Sequence, residues 1–175
     1  MEAITVQKEK SLLQMEMTWN VNGTGICQVE AGYPDVEFLR KCLEAFAQRA
    51  GIDLQIRCSG SYGNQKEFMR LLADLFADVI CTQCRLMTCY IGVGNARDGV
   101  NKDISCNLQL PGTVNWVYEV FVKEKTADTH NISAFFKELA EESQIQLKFH
   151  IPDYKEENNI RMFSLFGETL KLAFS

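Results

Sequence analysis

Apolar and polar positions along this chain follow two rhythms, one of period two and one of period 3.6. Over 12–22, Leu13, Met15, Met17, Trp19 and Val21 alternate with Gln14, Glu16, Thr18, Asn20 and Asn22, which predicts a strand with one buried face. Asn22-Gly23 is a turn signal, and Cys27, Val29 and Ala31 predict the returning strand of a hairpin. Pro34 and Asp35 open a helix whose apolar stripe is Leu39, Cys42, Leu43 and Phe46. Ile52, Leu54, Ile56 and Cys58 mark a further strand, and Phe68, Leu71, Leu72 and Leu75 a second helix. The series then starts again. Ile104, Cys106, Leu108 and Leu110 alternate, Pro111-Gly112 turns the chain, and Trp116, Tyr118, Val120 and Val122 predict another strand. A helix follows on Ile132, Phe135, Phe136 and Leu139, then a strand on Ile145, Leu147, Phe149 and Ile151. A last helix carries Met162, Phe163, Leu165 and Phe166.

The two series keep register. A shift of 93 positions carries Leu39, Cys42, Leu43 and Phe46 onto Ile132, Phe135, Phe136 and Leu139, and Ile52 and Leu54 onto Ile145 and Leu147. A shift of 94 carries Phe68, Met69, Leu71 and Leu72 onto Met162, Phe163, Leu165 and Phe166. This is an internal duplication. The order β-β-α-β-α, twice, predicts an α+β fold of two sheets, each covered by helices on one face. The halves, 1–95 and 96–175, are each small for an independent core, so they are expected to pack through their helices as one compact unit.

Composition narrows the function classes. Of 175 residues, 46% are apolar and 23% charged, the proportions of a globular protein. Net charge is −5, which makes nucleic acid or an acidic membrane surface a poor partner. No apolar run is long enough to cross a membrane, and MEAITVQKEK lacks the apolar core of a signal peptide. Seven cysteines, an odd count scattered through apolar runs, read as reduced thiols of a cytoplasmic protein.

Particular residues add a resemblance. Asn20-Val21-Asn22-Gly23-Thr24-Gly25 stands where imidazoleglycerol-phosphate dehydratases have N-L-D-G-T-G, and Ala31-Gly32-Tyr33-Pro34 where they have T-G-I-P. Ala47 through Asp53-Leu54 matches A-x-H-G-x-x-D-L, with Arg49 at the position of the histidine. Ile145-Gln146-Leu147 matches the strand before the last metal motif. With the duplication, the chain resembles this family of histidine biosynthesis along nearly its whole length. The resemblance implies a carbon–oxygen lyase that holds its substrate's imidazole between two manganese ions, using H-H-x-x-E once in each half, and that builds large symmetric oligomers. Manganese would then be the cofactor.

The ligands themselves are missing. The chain has two histidines, His130 and His150, neither paired nor followed by a suitably spaced glutamate. In the second half the motif falls on Asn158-Asn159-Ile160-Arg161-Met162, and amides are poor manganese ligands. In the first half one register places it on Gly63-Asn64-Gln65-Lys66-Glu67, keeping only Glu67. Another family histidine falls near Lys41, the family's M-D-E-A segment near Arg97-Asp98-Gly99-Val100, which keeps Asp98 and loses the glutamate, and S-G-R near Gln109-Leu110-Pro111, without its arginine. Lys41 and Arg49 place positive charge where a cation would sit. Lys41, Arg49, Asn64, Glu67, Asp98, Asn158 and Asn159 are therefore former metal or substrate positions, and no metal cofactor or catalytic residue is expected.

Other features have competing readings. Cys81-Thr82-Gln83-Cys84, with Cys89 beyond, is either half a metal or redox site or a set of buried apolar thiols. Gly92-Val93-Gly94-Asn95 reads as a turn, since no phosphate-loop pattern completes it. Lys66, Arg70, Arg40 and Lys41 either gather as a phosphate pocket or solvate helix faces. The expectation is an inactive homologue, a pseudoenzyme, that binds a small phosphorylated metabolite or a partner and forms a small homo-oligomer such as a trimer or dimer. The alternatives are metal-free or cysteine-based chemistry, or a divergent dehydratase.

Overall fold

Leu13, Met15, Met17 and Trp19 are all buried, so the alternation read from the sequence marks one face of a strand pressed on helices. The structure, a computed structural model, describes residues 3–32, 36–61, 63–87, 92–110, 116–124, 128–153 and 155–175. The strands are β1 (Ile4–Lys10), β2 (Leu13–Asn20), β3 (Cys27–Glu30), β4 (Asp53–Gly60), β5 (Val93–Arg97), β6 (Ser105–Gln109), β7 (Val117–Glu124) and β8 (Gln146–Asp153). The helices are α1 (Val36–Ala50), α2 (Gln65–Leu86), α3 (Ile132–Ser143) and α4 (Glu156–Phe174). They form two four-stranded sheets, ordered β1-β2-β4-β3 and β5-β6-β8-β7.

The repeat is visible in the pairing. Leu54 of β4 lies between Trp19 of β2 and Cys27 of β3, and Leu147 of β8 lies between Leu108 of β6 and Tyr118 of β7. The halves meet through helices: α1 packs on α4 and α2 on α3, while each helix also rests on its own sheet. A mesh of rings ties all four helices together, with Phe46–Phe76, Phe46–Phe166, Phe76–Phe135 and Phe135–Phe163 centroids 5.1–5.4 Å apart. Each such contact adds about 0.5–1.5 kcal/mol beyond the area it buries.

Three expectations change. Each half begins with a strand the pattern did not announce, so the order is β-β-β-α-β-α, and Val93–Arg97 already belongs to the second sheet, ahead of residue 96. The Gly92-Val93-Gly94-Asn95 stretch is the start of β5 rather than a turn. Its glycine is needed for packing: a Cβ on Gly94 would lie 1.9 Å from the Thr169 carbonyl oxygen of α4. Finally, β2 and β3 are not a hairpin. Asn22-Gly23 does turn, with Gly23 N donating to Asn20 O at 3.2 Å, but the chain then crosses the start of β4 and pairs parallel to its far side. Asp53, the first residue of β4, pins this crossing, its Oδ1 accepting from the amides of Thr24, Gly25 and Ile26 at 2.7–3.1 Å. Those donors, Ile26 and Thr24 first, hold its carboxyl below the usual carboxylate range. The Pro34-Asp35 helix start and the Pro111-Gly112 turn lie outside the described residues.

Candidate functional site

The positions where the resemblance would place the two metal motifs sit at the starts of two repeat-related helices, α2 and α4. Asn64 is the N-cap of α2, its side chain accepting from Glu67 N at 2.9 Å, so the pair serves helix initiation. Asn158 and Asn159 lie in the first turn of α4 and are 4% and 5% exposed. Asn158 Oδ1 accepts from Arg161 Nη1 at 3.2 Å, an arginine two positions beyond the second former histidine position. Because α2 packs on α3 and α4 on α1, the two stretches belong to different helix seams.

The remaining positions are scattered. Lys41 is exposed on α1. Arg49, in the last turn of α1, pairs with Glu168 of α4 at 3.8 Å. Asp98 closes the β5–β6 loop, its Oδ2 accepting from Val100 N at 3.2 Å and Asn101 N at 2.8 Å. His130 stacks on Phe38 with centroids 3.8 Å apart, and His150 points outward from β8 beside Phe121. The positions where the resemblance would place metal ligands hold amides at Asn64, Asn158 and Asn159, carboxylates only at Glu67 and Asp98, and cations at Lys41 and Arg49, and both imidazoles lie elsewhere. These residues do not fit the two ions.

The cysteines whose thiols shift are governed by burial. Cys81 and Cys84 share one face of α2, and Cys81 Sγ lies 3.9 Å from Ser143 O. Burial raises the Cys81 thiol, and it pushes Cys27, Cys42, Cys58 and Cys106 up to about 12. A protonated thiol is a poor nucleophile and a poor ligand. Cys89 lies outside the described residues. The one group of ligand-type side chains close enough to share an ion among those described is Asp74, Glu138 and Glu142, with oxygens within 4.8 Å of one another.

A cleft of about 410 Å³ opens beside the start of α2. It brings together Lys66 and Arg70 of α2, Tyr118 of β7, and Lys137 and Glu138 of α3. Of the four basic residues singled out in sequence, Lys66 and Arg70 join here. Arg40 instead pairs with Glu37 on α1 at 3.3 Å. Lys137 was not singled out, since its place on the exposed edge of an amphipathic helix carries no signal of its own. Three acidic residues, Asp128, Glu138 and Glu141, also line the cleft, and two of them have partners. Asp128 caps α3, receiving Ile132 N and Ser133 N at 2.9 Å, and Glu138 pairs with Arg70 at 3.6 Å.

No protein-family profile and no curated protein matches the sequence. Among solved structures, the chain is similar to the imidazoleglycerol-phosphate dehydratase of Staphylococcus aureus subsp. aureus N315, with a TM-score of 0.67 and 12% identity over 97% of this chain and 98% of that one. It is similar also to that of Pyrococcus furiosus, with a TM-score of 0.70 and 13% identity over 97% and 93% of the two chains. This likeness shows the duplicated fold. Among the described residues, no helix is long and apolar enough to cross a membrane.

Proposed function

We propose that this chain is a non-catalytic protein on the dehydratase scaffold, binding a small phosphorylated metabolite in the cleft between α2 and α3. The observation that supports loss of catalysis is the state of the former ligand positions. One pair caps a helix and the other is buried as amides, one of them engaged by Arg161. The metabolite reading is supported by Lys66, Arg70 and Lys137 facing one cleft whose acidic residues are partly spent on a cap and an ion pair. Without bridging metal, the expected assembly is a dimer or trimer, which light scattering reads directly.

The test has two arms. With imidazoleglycerol phosphate and added manganese, turnover stays at background; turnover well above it overturns the reading of lost catalysis. In calorimetric titration with imidazole phosphates, binding is saturable and Lys66→Ala with Lys137→Ala weakens it by about tenfold or more. Binding indifferent to both substitutions overturns the cleft assignment.

A further inference from the structure

Four strands stand at sheet edges, β1 and β3 in the first sheet, β5 and β7 in the second. An edge strand offers unpaired backbone groups to any strand that meets it. Three of these edges are guarded. β1 turns Lys8 toward the helix layer, where it pairs with Asp78 at 3.1 Å, and an inward charge opposes pairing with a foreign strand. β3 is only four residues long. β5 has five residues, carries Gly94 against α4 and ends on exposed Arg97.

β7 has none of these devices. It runs for eight residues without proline or glycine, and among the described residues it pairs with β8 alone. Its inward side chains Tyr118, Val120 and Val122 stay half-buried, whereas their partners on β8, Leu147, Phe149 and Ile151, are at most 1% exposed. At the repeat-related edge, Val29 of β3 is closed to 8%. The helix layer therefore covers the second sheet as far as β8 and leaves an apolar margin open along β7. On the other face Phe121 is 58% exposed beside His150.

The order of residues along β7 selects what covers this margin. Two β7 strands can run antiparallel about a two-fold axis at Phe121. That residue then meets its own copy, Val120 stands opposite Val122, and the position of Glu119 opposite that of Lys123. Aromatic meets aromatic, β-branched meets β-branched and acid meets base, each a favourable cross-strand pair. Glu119 already pairs with Lys148 of its own sheet at 3.1 Å, so it faces the same way as a neighbouring ammonium that water still reaches. Moving the axis to Val120 sets Glu119 against Phe121, and moving it to Val122 sets Phe121 against Lys123. We propose that β7 is the interface of a homodimer, built by antiparallel addition of β7 from a second copy. An axis normal to the sheet keeps both helix layers on one side and joins two four-stranded sheets into one. The proposal rests on the small assembly expected above and not on the α2–α3 cleft. The contact is about 26 Å long at 3.3 Å per residue, at the small end of specific interfaces, so dissociation is expected on the order of micromolar.

The experiment is sedimentation equilibrium of the full chain across the micromolar range. A monomer–dimer equilibrium is expected. Phe121→Glu sets like charges at the axis and should raise the dissociation constant by about tenfold or more. Val93→Glu, also exposed but on the opposite edge strand of the same sheet, should leave it unchanged. Mild oxidation of Phe121→Cys should give a dimer linked through residue 121, mapped by peptide mass spectrometry, and Val93→Cys should give none through residue 93. The cross-link decides the matter if circular dichroism shows Phe121→Glu unfolded. A trimer overturns the β7 assignment while leaving the small assembly standing, and a monomer throughout overturns both. A dimer indifferent to a folded Phe121→Glu, or cross-linking at 93 as readily as at 121, also overturns the proposal.

Discussion

The two helix seams, α1 on α4 and α2 on α3, are copies of one arrangement, yet their edges carry opposite electrostatics. The shifts that align the halves carry Arg49 onto Glu142 and Asp74 onto Glu168. In the first seam the result is the Arg49–Glu168 ion pair. In the second, Asp74 faces Glu142 and Glu138, relieved by the Arg70–Glu138 pair at 3.6 Å and by Lys8 of β1, which pairs with Asp78 at 3.1 Å. Burial, opposed by Lys8 and reinforced by Glu138 and Glu142, pushes the Asp74 carboxyl up to about 6. The seams also differ in closeness. A Cβ on Gly167 of α4 would lie 2.4 Å from the Phe46 carbonyl oxygen of α1, whereas the repeat-related position on α2 is Ala73, fully buried without such a conflict. Duplication has kept an apolar centre in both copies, although its rings fall at different repeat positions (Phe46 against Leu139, Cys42 against Phe135), and has let the margins diverge, since only the centre is constrained from both sides.

The steric difference predicts the largest effect. Gly167→Ala drives a methyl into a backbone carbonyl and should cost about 2–3 kcal/mol in urea unfolding. Ala73→Gly should cost about 1 kcal/mol, the usual price of glycine inside a helix. Equal costs would mean that the seams are equally close.

The electrostatic difference comes next. Asp74 holds its proton to about pH 6 when folded but releases it near pH 4 when unfolded, so folded stability falls as pH rises through that window. Asp74→Asn should therefore stabilise the protein above pH 6 by about 1–2 kcal/mol, allowing for solvent screening at this half-buried group, and do nothing below pH 4. Glu142→Arg, which gives the second seam the charge of the first, should move the Asp74 carboxyl resonance to a lower midpoint in a carbon-13 titration. An unmoved midpoint would separate the two seams for a reason other than charge. In the first seam, an Arg49→Ala and Glu168→Ala double-mutant cycle should give a coupling of about 0.5 kcal/mol, as exposed pairs do.

The smallest effect concerns helix ends. α1 and α3 finish on repeat-related residues in the left-handed region, Gly51 at φ +69° and Gln144 at φ +55°. Gln144→Gly should gain at most about 0.5 kcal/mol, backbone relief being offset by loss of the Gln144 Nε2 bond to Glu141 O. Gly51→Ala should cost about 1 kcal/mol. Thermal melts of the pair distinguish these signs.

Much of this architecture is legible in the chain because each helix has one apolar stripe and each central strand one apolar face. The edge strands are not. β1 turns Lys8 toward the helix layer, where it meets Asp78, and β5 turns in only Gly94 and Ala96, because α4 lies so close. In β1 the alternation of Ile4 and Val6 stops after two positions, and β5 shows none. The hairpin expected after Asn22-Gly23 fails because pairing with β4 is a non-local choice that a turn signal does not encode. That Asn158 and Asn159 stand where the resemblance would place two imidazoles is plain in sequence. The cap formed by Asn64 and Glu67 follows the N-x-x-E spacing and is legible too, but the burial of Asn158 and Asn159 depends on packing.

The parallel pairing of β3 with β4 has a consequence for synthesis. A nascent chain emerges with β3 and α1 before the strand that receives them, so the first sheet closes only once residues 53–60 have cleared the ribosome. Once α2 has emerged as well, Phe46 and Phe76 meet each other and Trp19 but still lack Phe166 and Phe135, which belong to the half still being made. Translation of the first half alone thus displays a greasy surface that only its own later copy can quench.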